Sequence, residues 1–192
     1  MENSLICKAR LLHYFPTGNL SQEEKKLSDN DFSSWCGWHN DHGSLTGLLP
    51  GMYLDENGQQ IQSPDKNAGL YIKSRGGDTI QVQLPAQHNC LAFQIGETTQ
   101  IHTGGILQAT PHAVRGCSMS LGEKISRESF AVFMEPEYDG EMEILEGRTI
   151  QDVQNVDKAK LFLPKGVRTL ESRFTTGMNF GEFSDATFQA FH

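Results

Sequence analysis

Two alternating segments, Leu70-Tyr71-Ile72-Lys73 and Thr79-Ile80-Gln81-Val82-Gln83, flank Ser74-Arg75-Gly76-Gly77-Asp78. Period-two hydrophobicity on both sides of a Gly-Gly turn commits this stretch to a β-hairpin. The rest of the chain follows suit. Nineteen glycines in 192 residues break the apolar runs into lengths that suit strands and turns. The pattern predicts strands from Ala9 to Phe15, ended by Pro16, across Leu45 to Tyr53 with a turn, from Cys90 to Ile95, around Ile106, and from Ser129 to Met134. Gly18 to Asn30 reads as a polar loop with at most a helical turn, and Asp55 to Asn67 as an exposed loop. Many short strands with glycine turns predict a sandwich, a barrel or a jelly roll, and pattern alone does not choose between them. A helix is expected only at the end, from an N-cap at Ser184 to Phe191. Phe183, Thr187, Phe188 and Phe191 would share one side of it, packing on the strands or shaping a pocket.

The totals restrict the partners. A net charge of -8 and a pI near 5.3 give little attraction to a phosphate backbone, so nucleic acid is not expected as a partner. No apolar run reaches the roughly 18 residues of a membrane span, and no signal-peptide pattern opens the chain. Cys7, Cys36, Cys90 and Cys117 form no CxxC pair, which disfavours a zinc ribbon and suits reduced thiols in a cytoplasmic protein.

The residues with chemistry to offer begin at Trp38-His39-Asn40-Asp41-His42. On a strand, His39 and Asp41 project to one face and Asn40 to the other. One imidazole and one carboxylate on a single face make two adjacent metal ligands; two histidines and one carboxylate suit Fe(II) and leave open positions. An HxD pair also arises by chance, or as an Asp orienting a core His. For a third ligand, His112 has the best setting among the remaining histidines, at a strand entry after Ala109-Thr110-Pro111, although a structural role would suit it equally. Arg127-Glu128-Ser129 precedes the apolar run Phe130-Ala131-Val132-Phe133, which turns Arg127 and Ser129 to one face. An inward Arg at the start of a buried strand needs an anion. Its fork fits a carboxylate, with a Ser hydroxyl adding a further bond. That carboxylate can belong to a ligand or to the protein itself.

Taken in order, these pieces resemble the C-terminal half of the iron- and 2-oxoglutarate-dependent oxygenases related to isopenicillin N synthase. That family carries HxD, a distal His and RxS, here His39-Asn40-Asp41, His112 and Arg127-Glu128-Ser129. Leu45-Thr46, Gly69-Leu70-Tyr71-Ile72, Gly96-Glu97 with Gln100, Gly104-Gly105 and His13-Tyr14-Phe15-Pro16 are similar to family segments in the same order. The likeness spans roughly residues 9 to 136. It departs at His13 and Phe15, where Asn and Tyr are usual, at Ala113, where Arg is usual, and at Asp55 to Asn67, which resembles an insertion. The family's long N-terminal region has no counterpart, so apolar sheet surface is expected to lie uncovered.

The resemblance implies a mainly β double-stranded β-helix, a cupin-like jelly-roll barrel, over residues 1–136, with a short C-terminal helical extension over 137–192. It implies Fe(II) held by His39, Asp41 and His112, and 2-oxoglutarate held by Arg127 and Ser129 at its distal carboxylate. With O2, such an enzyme converts 2-oxoglutarate to succinate and CO2 and oxidises, typically hydroxylates, a small organic substrate. Two other readings stay open: an iron oxidase that uses no 2-oxoglutarate, and an inactive barrel retained as a binding module. Asp55 to Asn67 and Phe180 to Phe191 are the expected walls of a substrate pocket.

Overall fold

The computed structural model describes residues 6–16, 35–84, 90–118, 124–155, 163–164 and 166–190. These residues build ten strands and three α-helices, with strands dominating as expected. The strands are β1 (Cys7–Tyr14), β2 (Cys36–His39), β3 (Leu45–Leu48), β4 (Met52–Leu54), β5 (Gln60–Ile61), β6 (Gly69–Lys73), β7 (Thr79–Gln81), β8 (Ala92–Ile95), β9 (His112–Arg115) and β10 (Ser126–Met134). The helices are α1 (Glu97–His102), α2 (Ile150–Asn155) and α3 (Phe180–Ala190).

Strand β10 organises the larger sheet. Along one edge it pairs over its length with β1, from Cys7 opposite Met134 to Tyr14 opposite Arg127. Its other edge is shared: β4 pairs with Ser126 to Glu128, and β3 with Ala131 to Met134. Strand β8 continues beyond β3, and β5 beyond β4. The smaller sheet runs β2-β9-β6-β7 and is antiparallel throughout. Its β6-β7 hairpin turns through Ser74 to Asp78, and Gly77 adopts a φ of 89°, as the Gly-Gly signal requires. The two sheets together line a cavity of about 300 Å³.

Several expected elements differ. Leu45 to Tyr53 forms two strands because Leu49-Pro50-Gly51 intervenes and lets β10 change partner. Asp55 to Asn67 contains β5, and Asp65 within it is buried, its carboxylate accepting the Asn67 and Ser118 amides at 2.8 and 2.7 Å. No strand forms around Ile106, which is 50% exposed. Helix α1 stops there instead: Gly104 and Gly105 take φ of 59° and 80°, and their amides bond back to Ile101 and Gln100. Gly18 to Asn30 lies outside the described residues.

The C-terminal helix begins at Phe180, four residues before the expected Ser184 cap. Asn179 and Glu182 close a reciprocal capping box: the Glu182 amide donates to Asn179 Oδ1 at 2.9 Å, and the Asn179 amide to Glu182 Oε2 at 3.0 Å. Ser184 is buried inside the helix, as are Phe183 and Thr187, whereas Phe188 is half-exposed. Phe191 lies outside the described residues.

The dry core is off to one side of the sheets. Ile101 of α1 packs with Met142, Val153, Leu170, Phe174, Phe180 and Phe183, a cluster supplied almost wholly by the segment after β10. Meanwhile Leu11 faces Phe130 across the β1–β10 register, and Phe93 lies two strands from β10, opposite Gly47; all three are exposed. Uncovered apolar sheet surface was the expectation there. No helix among the described residues is long and apolar enough to cross a membrane.

Candidate metal centre

Strands β2 and β9 pair so that His39 stands directly opposite His112, with ring centroids 4.1 Å apart. The chain leaves the strand after His39, yet Asp41 still returns to the same side. Its Oδ1 lies 3.8 Å from Nε2 of both histidines. Ligand atoms of the three residues all fall within 4.8 Å of one another. Donors 3.8 Å apart can both reach an ion at about 2.1 Å. The structure thus brings together all three residues singled out as metal ligands.

Neighbouring groups fix which atoms face inward. The Thr46 hydroxyl donates to Asp41 Oδ2 at 2.7 Å, and the Gln94 amide nitrogen donates to the same oxygen at 3.0 Å. That leaves Oδ1 for the histidines. His39 Nδ1 sits 2.7 Å from the Gly37 carbonyl, so it carries the proton and frees Nε2. Burial pulls the His39 imidazole toward neutrality, but the Cys36 thiol, the Gly37 carbonyl and Asp41 raise it to about 9. Burial, and then the adjacent His39, push His112 down to about 4. Both imidazoles must be neutral to ligate, so a divalent cation binding there would compete with the proton that His39 favours.

Arg127 is buried on the inner face of β10. Its Nη1 donates to Ser129 Oγ at 2.6 Å, which unites the second predicted pair. The guanidinium lies 5.4 Å from the Tyr14 ring centroid, and Gly51 offers it a bare backbone to rest on. Its Nε is buried with no hydrogen-bond partner, and among the described residues no carboxylate lies within ion-pair distance of it. Of the two options the sequence left open, a protein carboxylate is thus not supplied by any of the described residues. Arg127 and Ser129 line the same cavity as His39, Asp41 and His112.

The remaining walls include Leu12, Phe133, His42 and Phe188. His42 stacks on Phe180 at 5.8 Å, meets Phe188 edge-on, and lies 3.2 Å from Ser184 Oγ. The Phe-rich C-terminal segment thus contributes a wall. Asp55 to Asn67 does not: Ser63, Asp65 and Lys66 line a separate cavity of about 250 Å³, which Arg127 also borders.

Gln94 was missed from the sequence. A signal was present, since a lone amide in the apolar run Cys90 to Ile95 needs a buried partner. The buried Glu97 and Arg173 were also missed, and residues 76 apart carry no local signal of pairing.

No protein-family model and no curated protein matches the chain. Solved structures do. A full-length Neurospora crassa protein in complex with alpha-KG superposes on 96% of this chain and 44% of its own, with a TM-score of 0.58 and 20% identity. A 2OG-Fe(II) oxygenase family protein from Caulobacter crescentus covers 97% of this chain and 46% of its own, at the same TM-score and 21% identity. The fold is that of the 2OG-Fe(II) oxygenases. The rice dioxygenase for auxin oxidation agrees, with a TM-score of 0.52, 21% identity and coverage of 86% of this chain. The chain spans less than half the length of these three proteins: 44%, 46% and 49%.

Proposed function

We propose that the protein is a non-haem Fe(II)- and 2-oxoglutarate-dependent dioxygenase that oxidises a small organic molecule. The observation that carries this reading is one cavity holding two constellations that are incomplete among the described residues: a His-Asp-His cluster with no further protein ligand, and a buried Arg–Ser pair with no carboxylate from those residues. A chelating keto acid with a second, distal carboxylate answers both at once. The two sheets would belong to a closed double-stranded β-helix over residues 1–136, with 137–192 as an extension. The first two of the fold relatives are described with, or named for, 2-oxoglutarate. The Neurospora crassa protein is also described with thymine, which supports a small-molecule substrate.

The donor set fits iron. Two neutral imidazoles and one carboxylate on one side of an ion leave its other positions to exchangeable ligands, whereas a structural zinc site would close all four with protein. His39, Asp41 and His112 would hold the metal, which when bound supplies activation of O2. Thr46 and Gln94 keep Asp41 turned so that one oxygen serves the metal. Arg127, supported by Ser129, would take the distal carboxylate of 2-oxoglutarate in a charge-assisted fork. Phe133, Phe188 and Leu12 would keep water from the reacting end.

The test is anaerobic absorption spectroscopy with Fe(II), before and after 2-oxoglutarate. A visible charge-transfer band requiring both is the expected result. Iron binding without any response to 2-oxoglutarate would overturn the reading.

A further inference from the structure

We propose that Arg173, acting through Glu97 and Asn40, is a positioning residue for the metal centre; this rests on the reading of His39, Asp41 and His112 as metal ligands. The loop from Asn40 to Ser44 needs outside help. Strand β2 has ended at His39 and β3 has not begun, so apart from the Ser44 amide, which donates to the Met134 carbonyl of β10 at 2.9 Å, no ladder bond holds the loop that carries Asp41.

The turn into α1 takes over that task. The Glu97 amide donates to the Asp41 carbonyl at 2.8 Å, the Thr98 amide to Gly43 at 3.2 Å, and the Gly96 amide to Ser44 at 3.1 Å. The Thr98 and Thr99 hydroxyls donate to the His42 and Ser44 carbonyls, each at 2.6 Å. Carbonyls at four consecutive positions are thus held by four consecutive residues, Gly96 to Thr99.

The turn is anchored in its own right. Arg173 grips Glu97 through its two terminal guanidinium nitrogens, at 2.8 and 2.6 Å, with both side chains 2% exposed. The same guanidinium donates to Thr187 Oγ1 at 2.9 Å and to the Arg168 carbonyl at 3.0 Å. Glu97 then passes its position on. Its Oε1 accepts a 3.1 Å bond from Asn40, the residue between the two ligands, whose other amide atom, Oδ1, is buried without a partner. A buried ion pair adds little net stability. It does fix one geometry, and here that geometry ends between His39 and Asp41. The segment after β10 therefore sets the spacing of two ligands to which none of its described residues makes a hydrogen bond or ion pair.

The test is Co(II) titration of the full chain, followed by the visible d–d spectrum, with thermal unfolding alongside. Asn40→Ala cuts the link and leaves the ion pair intact; Glu97→Gln with Arg173→Met removes the pair without stranding a charge. Each is expected to weaken Co(II) binding by about tenfold or more, the range for groups that orient metal ligands. Asn40→Ala should do so with its melting temperature nearly unchanged. All three changes together should weaken binding no further than either set alone, since both cut one chain of contacts. Parental affinity in Asn40→Ala, or effects that multiply in the triple variant, would overturn the proposal, and Asn40→Ala decides the matter even if the pair variant fails to fold. A parent that binds no Co(II), or a His112→Ala variant that binds as the parent does, would instead bring down the metal reading itself.

Discussion

The protein has two interiors built on opposite principles. Under the segment that follows β10, Phe174, Phe180, Phe183, Leu170, Val153 and Ile101 close on one another with almost no exposure. Between the sheets the buried polar groups His112, Thr46 and Arg127 stand beside buried Val114 and Ala131, set around a cavity of about 300 Å³. The first interior gains stability from apolar area removed from water. The second gives that gain up, because each polar group buried there needs a partner before it stops being a liability. The dry cluster would hold the fold while the cavity would do the proposed chemistry, and the two meet at α1, where Ile101 faces the cluster and Glu97 bonds to Asn40.

The sharpest way to separate them is to remove a metal ligand. His112→Ala or Asp41→Ala should abolish Fe(II) binding and turnover, measured by metal titration and succinate release. The melting temperature of metal-free His112→Ala should hold or rise, because a group buried for function has been deleted, whereas Asp41→Ala should lower it, since Thr46 and Gln94 lose their acceptor. A His112→Ala variant that melted far earlier without metal would put that ligand in the stabilising core and break the contrast.

The opposite experiment is Phe174→Ala. Truncating a fully buried Phe typically costs about 3–5 kcal/mol, read from denaturant unfolding. Whatever folded protein remains should still bind metal with near-parental affinity, because Phe174 touches the dry cluster and lines neither cavity.

The same division governs what could be read from the sequence. The candidate ligands were legible because short spacing is local: His39 and Asp41 are two residues apart, although Asp41 lies beyond the strand, and Arg127 and Ser129 do alternate on β10. The β6-β7 hairpin was legible for the same reason. The dry cluster was not. Its helices α1 and α2 are six residues each, too short to be stable alone, and they exist because Ile101 and Val153 are buried by distant partners. Ile106 failed as a strand because the two glycines before it turn the chain with positive φ. The start of α3 was misplaced because Ser184 resembles a cap, whereas Asn179 and Glu182 make the capping box. Glu97 and Arg173 show the limit plainly: Glu97 lay in a segment that resembles the family and Arg173 carried no signal, and only the fold makes them partners.

Arg127→Met tests the polar cavity from its other end. Losing a charged, buried hydrogen-bonding partner typically costs about 2–5 kcal/mol of binding. The 2-oxoglutarate affinity should fall accordingly, measured calorimetrically on the metal-loaded protein, with metal affinity unchanged. Stability should stay level or improve, since the unpartnered Nε leaves the interior with the guanidinium. Equal losses of metal and 2-oxoglutarate binding would mean that Arg127 shapes the whole cavity and does not serve one ligand.

Gly51→Ala asks the same question without touching a charged group, and its effect should be the smallest. A Cβ at Gly51 would fall on the Arg127 guanidinium. One of the two must move, and overpacking of this kind typically costs about 1–3 kcal/mol. The side chain able to move is Arg127, because Gly51 lies on the backbone linking β3 to β4. The Arg would then swing out of register with Ser129, 2.6 Å away, while keeping its charge. If recognition depends on the aimed fork, 2-oxoglutarate affinity should drop in Gly51→Ala almost as it does in Arg127→Met, with Fe(II) affinity intact. If only the presence of a positive charge matters, Gly51→Ala should bind 2-oxoglutarate like the parent and show its cost in stability alone. The first outcome makes the glycine part of the binding site; the second makes the cavity an electrostatic sink in which the geometry of Arg127 is secondary.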